Sequence, residues 1–307
     1  MSTSSELVPV PVAPVVSGGQ QAAVSAGTPH VGNGLSVEVL TYGALSGSES
    51  ASAAQRLYFA HQTGMRLKQV RIALNGGAVT VESGALHYLK GKIEVTNKAG
   101  GVTGALTKLV TAKLTGESAF NPTYRGTGEV VLEPSFGHFL VLRLDNEELI
   151  VDKGMFYAAE STVNVGVAMQ KNISSALFGG EGLFQTSLRG SGLVVLASPV
   201  APEEIVKYRL DNDTLQVDGN FALLRKGNVT FSVEKSTKSL FGTLTSGEGL
   251  LQTFRGTGEV WIAPTQAVYD RLETEGLAAM TQAQASSHNQ AAQKQSNVFG
   301  GLLKLLD

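Results

Sequence analysis

One short phrase occurs three times in this chain: Arg125-Gly126-Thr127-Gly128, Arg189-Gly190-Ser191-Gly192 and Arg255-Gly256-Thr257-Gly258. The second lies 64 residues after the first, and the third 66 after the second. A near-constant period of this length means one supersecondary unit used in succession, each copy burying its apolar face against the next. The repeat extends beyond its signature. Leu144-Asp145-Asn146 precedes Leu149, Val151 and Asp152, and Leu210-Asp211-Asn212 precedes Leu215, Val217 and Asp218 at identical spacing. The first copy is weaker: Leu74-Asn75-Gly76, then Val79, Val81 and Glu82. Asn, Asp and Gly accept positive φ at low cost, so these triplets predict hairpin turns. Phe139-Leu140-Val141-Leu142 and Leu149-Ile150-Val151 are accordingly expected as two strands paired with each other.

Further strands are expected in each copy. Ile93 and Val95 alternate with polar residues, as do Val163, Val165 and Val167, and then Val229, Phe231 and Val233; a period of two puts one face inward. Each copy closes on an apolar run: Val130-Val131-Leu132, Val194-Val195-Leu196 and Val260-Trp261-Ile262. Pro134, Pro199 and Pro264 follow, and a residue without an N–H marks a strand end. With 36 glycines for turns, the chain reads as all-β: three tandem antiparallel β-repeats in one pseudo-threefold domain over residues 35–265, with a short C-terminal helix. The units are about residues 65–135, 136–200 and 201–265.

The ends differ in character. Residues 1–34 are rich in Ser, Gly, Ala, Val and Pro and read as a flexible arm, with regular structure beginning near Leu35–Leu40. Residues 266–280 suit a short helix, and 281–297 form a polar linker. Residues 298–307 turn apolar again, and Phe299, Leu302, Leu303, Leu305 and Leu306 are the candidate docking residues for a protein partner or a neighbouring subunit. A membrane-surface contact ranks lower, because the segment is short and carries one Lys.

Net charge is −2, which gives no strong nucleic-acid signal. The absence of Cys removes disulfides, thiolate metal sites and a Cys nucleophile, and fits a reducing compartment. No run approaches the roughly 18 apolar residues of a membrane span. Residues 1–55 show neither a secretory signal nor an Arg-rich presequence, so a cytoplasmic location is expected.

The blocks before the signatures carry a family resemblance. Gly180-Glu181-Gly182-Leu183-Phe184-Gln185-Thr186 and Gly247-Glu248-Gly249-Leu250-Leu251-Gln252-Thr253 resemble the Gly-Glu-Gly-Leu-Phe block of the mitochondrial biogenesis family, named for altered inheritance of mitochondria protein twenty-four. Thr115-Gly116-Glu117-Ser118-Ala119-Phe120 is similar to its first-repeat version. Glu82-Ser83-Gly84-Ala85-Leu86 and Val151-Asp152-Lys153-Gly154-Met155-Phe156 also match family positions, and the resemblance spans roughly residues 65–265. It implies a β-rich fold likened to the tryptophan RNA-binding attenuation protein and to double-stranded β-helix proteins. It also implies homo-oligomers, trimers among them, and supplies no catalytic residues. Lacking a presequence, this chain looks more like the bacterial members.

Three Glu–Arg sets stand out as site candidates: Glu117 with Arg125, Gly126 and Gly128; Glu181 with Arg189, Gly190 and Gly192; Glu248 with Arg255, Gly256 and Gly258. Three equivalent pairs around an axis would grip an anion or a partner. Alternatively, Glu and Arg pair across neighbouring strands while Gly-Thr-Gly forms a tight turn or bulge. Use in every copy favours this structural role. The phrase lacks the Lys-Ser/Thr of a phosphate loop and precedes a strand rather than a helix. The five His show no ligand spacing, although His87 and His138 are candidates to meet in space. The expectation is a non-enzymatic homo-oligomeric scaffold or binding protein with no cofactor and no metal. The alternatives are a ligand- or RNA-binding ring and, third, a cupin-like metal enzyme.

Overall fold

In the computed structural model, the described residues are 24–97, 121–169, 184–218, 220–235 and 250–274. The alternating Val/Ile/Leu segments fold as strands. β1 (Val24–Ala26), β2 (His30–Val31) and β3 (Leu35–Tyr42) come first, followed by helix α1 (Ala51–Gln62). The first repeat supplies β4 (Lys68–Val81), β5 (Leu86–Asn97) and β6 (Pro122–Leu132). The second supplies β7 (His138–Val151), β8 (Phe156–Glu160), β9 (Val163–Met169) and β10 (Phe184–Ser198). The third supplies β11 (Val206–Asp218), β12 (Ala222–Lys235) and β13 (Leu250–Ile262). A second helix, α2, covers residues 266–274.

The protein is mainly β, built on one large antiparallel sheet with the strand path β1-β3-β4-β8-β10-β7-β12-β13-β11. Within each repeat the last strand lies between the others: β6 pairs β4 and β5, β10 pairs β7 on one side and β8 and β9 on the other, and β13 pairs β11 and β12. Consecutive repeats are joined by short edge pairings, β4 with β8 and β7 with β12. The expected pseudo-threefold domain is corrected in one respect: among the described residues the sheet stays open, because these two joints link only consecutive repeats.

The hairpin expectation is corrected. Leu144-Asp145-Asn146 and its counterparts do not turn the chain back. β4, β7 and β11 each run straight through the triplet, and both halves pair with the same neighbour: on β7, Leu142 faces Val194 and Leu149 faces Leu188, both of β10. The positive φ is real, at 51° for Asn146, 52° for Asn212 and 78° for Gly76. It accommodates a bulge, with register shifts at Gly190/Gly192, Asn75/Ala78 and Leu210/Asp213. A left-handed residue fits a single extra residue in a ladder as well as it fits a two-residue turn. Triplet chemistry alone therefore does not separate the two.

Two other expectations change at the N-terminal side. Strand pairing begins earlier than Leu35, since Val24–Ala26 and His30–Val31 add to β3. Helix α1 interrupts the expected β-domain. Ser50 caps it by accepting the Ala53 N–H, and Ala51-Ser52-Ala53-Ala54 follows with good helix propensity.

Three apolar clusters follow the three repeats. The first gathers Val70, Ile72, Val79 and Val130 but also takes Leu193 and Val195 from the second repeat. The second gathers Leu149, Val151, Leu188 and Val194 with Leu224 and Trp261 from the third. The third, around Phe231, Phe254 and Val260, draws only on its own repeat. Each fully buried Leu or Val contributes about 1.5–3 kcal/mol, so the shared side chains make each joint part of a core. The expected closing runs end at the strand ends of β6 and β13 and near that of β10, with Pro134, Pro199 and Pro264 just beyond.

Candidate functional site

The repeated signature sits opposite the bulge. In the second repeat, the Ser191 Oγ accepts the Asn146 N–H at 2.9 Å. In the third, the Thr257 Oγ1 accepts the Asn212 N–H at 3.1 Å. The Ser or Thr between the glycines thus satisfies the amide that the bulge removes from the ladder. The first repeat uses another device: the Gly34 carbonyl, ahead of β3, accepts the N–H groups of Asn75 at 2.8 Å and Gly77 at 3.0 Å. The glycines are needed for close approach. A Cβ at Gly128 would run into the Lys90 carbonyl oxygen, and one at Gly258 into that of Lys226. Gly126 and Gly256 are similarly crowded by the second strand of their repeats, and Gly190 and Gly192 by Thr162 between β8 and β9, with the Glu160 side chain also against Gly192.

The arginines point outward from these strands. Arg189 Nη2 lies 2.7 Å from Glu148 Oε2, directly across the ladder. Arg255 engages both carboxylate oxygens of Glu234, with Nη2 to Oε2 at 2.9 Å. Arg125 is exposed between Ala78 and Glu94. Glu117, Glu181 and Glu248 lie outside the described residues, as do Phe299, Leu302, Leu303, Leu305 and Leu306. Sequence reasoning missed Glu148 and Glu234, whose link to the signature is visible only once the strands are in register.

His87 and His138 do not meet. His87 Nδ1 lies 2.9 Å from Gln69 Nε2, and His138 Nδ1 lies 3.5 Å from Lys68 Nζ. Successive residues of a strand point to opposite faces, so the two imidazoles are held apart. Among the described residues, no group of three His, Asp or Glu side chains is placed to hold a metal ion.

Two hollows do gather polar groups. One, about 450 Å³, is lined by Lys68, His138, Glu204 and Tyr269 among others. Burial lowers the pKa of His138, and the nearby Lys68 adds to the effect. Burial likewise lowers that of Lys68. Glu204 is held low by hydrogen bonds from Thr265 and Tyr269. The hollow therefore offers an amine and an imidazole whose charged forms are disfavoured, beside a carboxylate already engaged.

The larger hollow, about 680 Å³, opens at the joint between the first two repeats, beside the second bulge. Its lining includes Asn33, Arg143, Asp145, Asn146 and Glu160. Glu160 is only 4% exposed. Its Oε1 accepts the Asn33 N–H at 2.9 Å and its Oε2 the Leu193 N–H at 3.1 Å. Arg143 donates to the Val31 carbonyl. The carboxylate thus ties the segment before β3 to β10. A signal for it existed in the sequence: Glu160-Ser161 occupies the place of Lys90-Gly91 and Lys226-Gly227 in the other copies.

Comparison with known proteins agrees with this architecture. An uncharacterized protein of Streptococcus pyogenes serotype M6 is 29% identical over 223 residues, covering 70% of this chain and 88% of that protein. An X-ray crystal structure of a Streptococcus pyogenes protein superposes with a TM-score of 0.50 at 22% identity, covering 68% of this chain and 94% of that one; it shares the fold. The model of the family described as mitochondrial biogenesis AIM24 matches residues 60–265, which hold all three bulges and both joints. A match over that whole repeated region makes this chain a member of the AIM24 mitochondrial biogenesis family.

Proposed function

We propose that this protein is a non-enzymatic, oligomeric scaffold or binding protein, with its three repeats as a rigid framework. One observation carries the reading: in the second and third repeats the signature residues are spent on structure. Ser191 and Thr257 hold bulge amides, the glycines admit the neighbouring backbone, and Arg189 and Arg255 pair with Glu148 and Glu234. Groups committed to one another in this way hold a shape rather than turn over a substrate. A cysteine-free chain suits a cytoplasmic setting, and among the described residues no helix is long and apolar enough to cross a membrane. Light scattering on the eluting full-length chain tests the reading. The expected mass is a multiple of the 32.1 kDa chain. A mass of one chain at every concentration would overturn it.

A further inference from the structure

The two joints between repeats use one register. At the first, Val79, Thr80 and Val81 of β4 face Glu160, Ala159 and Ala158 of β8. At the second, Leu149, Ile150 and Val151 of β7 face Lys226, Arg225 and Leu224 of β12. Counted from the leucine that opens each bulge, Leu74 and Leu144, the same positions are used each time. Counted from Leu210, those positions in the third repeat are Leu215, Gln216 and Val217. In the first repeat, the positions matching 224–226 are Tyr88, Leu89 and Lys90. A third joint of this kind would therefore set Leu215, Gln216 and Val217 opposite Lys90, Leu89 and Tyr88.

Both of these edges are open. Among the described residues β5 pairs only with β6, and β11 only with β13. Tyr88 is 50% exposed, Leu89 37% and Tyr208 43%, an apolar lining unusual for edges that face only water. The charges match as well. At the second joint Lys226 Nζ lies 3.6 Å from Glu147 and 3.9 Å from Glu259. Lys90 stands opposite Glu129 just as Lys226 stands opposite Glu259. Asp213 holds the position of Glu147, one facing Gly256 and the other Gly190. The third joint would bring Lys90 to Asp213.

We infer that a second copy of this chain completes that joint: β5 of one molecule pairs antiparallel with β11 of the next, head to tail. The sheet does not close on itself, so the two matching edges serve different molecules. The inference rests on the oligomeric reading above and says where the contact lies.

The absence of native cysteine makes cross-linking free of background. Full-length Leu89→Cys and Gln216→Cys proteins are mixed and mildly oxidised. A disulfide-linked dimer is expected from the mixture, well above either variant alone and above Leu89→Cys mixed with the off-register Thr214→Cys. Lys90→Glu or Asp213→Lys is expected to weaken self-association by about three- to tenfold, and mixing the two variants restores it. If the chain assembles but the mixture forms no disulfide, the joint is overturned while the oligomeric reading stands. If Leu89→Cys/Gln216→Cys in one chain links only within itself, the occupant is the same molecule and the inference fails. If the chain has the mass of one copy throughout, both fail.

Discussion

Asn212 and Asn146 are the residues on which the strand geometry turns. Each carries a positive φ, and each donates its N–H to a hydroxyl across the ladder. Glycine at position 212 keeps both properties, whereas a β-branched side chain resists the left-handed region. Asn212→Val is therefore expected to cost about 1–2 kcal/mol and Asn212→Gly close to nothing, read by chemical denaturation. The Glu234–Arg255 pair gives a pH-dependent test. Hydrogen bonds from Arg255 and then Ser232 draw the Glu234 carboxyl down to about 2, against about 4.3 in an unfolded chain. A carboxyl with a lower pKa in the folded state stabilises the fold above the unfolded value. That contribution fades as pH falls from there through the folded one. The pair is exposed, so solvent screening keeps its contribution small. The drop in melting temperature caused by Glu234→Gln should be present at pH 7, shrink as pH falls from about 4 and disappear below about 2; a pH-independent drop would refute the assignment.

At the scale of elements, the bulge sets the register of each long strand. On β7, Leu149 and Val151 point into the second cluster beyond the bulge, as Leu144 does before it. Leu144 and Leu149 are five positions apart, an odd spacing that faces one side only because the bulge absorbs a residue. Deleting Asn146 makes the spacing four, so plain alternation keeps Leu149 and Val151 inward and opposite the same partners on β10. The expected outcome is a retained cooperative unfolding transition by circular dichroism; its loss would show that the bulge does more than choose the face of each side chain. The spacing of the thrice-used phrase, the alternating apolar segments and the proline stops were legible in the sequence, since each rests on spacing along the chain. The bulges were misread as hairpins, because the choice between them depends on which strand sits alongside. That information lies about 45 residues away, in Ser191 and Thr257.

For the whole molecule, the family and the mainly-β class followed from the thrice-used blocks, whereas the openness of the sheet did not. Closure is decided by whether the last free edge meets the first, and no local pattern records that. Glu160 was passed over although its break from the Lys-Gly of the other two copies stands in the sequence. It lies outside the repeated signature, and its partners, Asn33 and Leu193, come from a strand-adjacent loop and from the next strand over. Helix α1 escaped notice for the opposite reason. It buries no residue and leaves Tyr58 and Phe59 exposed, so it imposes no apolar period on the chain.

The inversion from lysine to glutamate in the middle copy has one more consequence. A buried carboxylate that accepts two backbone N–H groups cannot be exchanged for an ammonium, which only donates. The three modules are therefore not interchangeable beads. Placing the second repeat after the third would take Glu160 from the Asn33 N–H and set it beside Asp213, and placing the third after the first would bring Lys226, which only donates, to that N–H. The succession of repeats is written into the molecule as a sequence of charges, and duplication has been followed by a division of places.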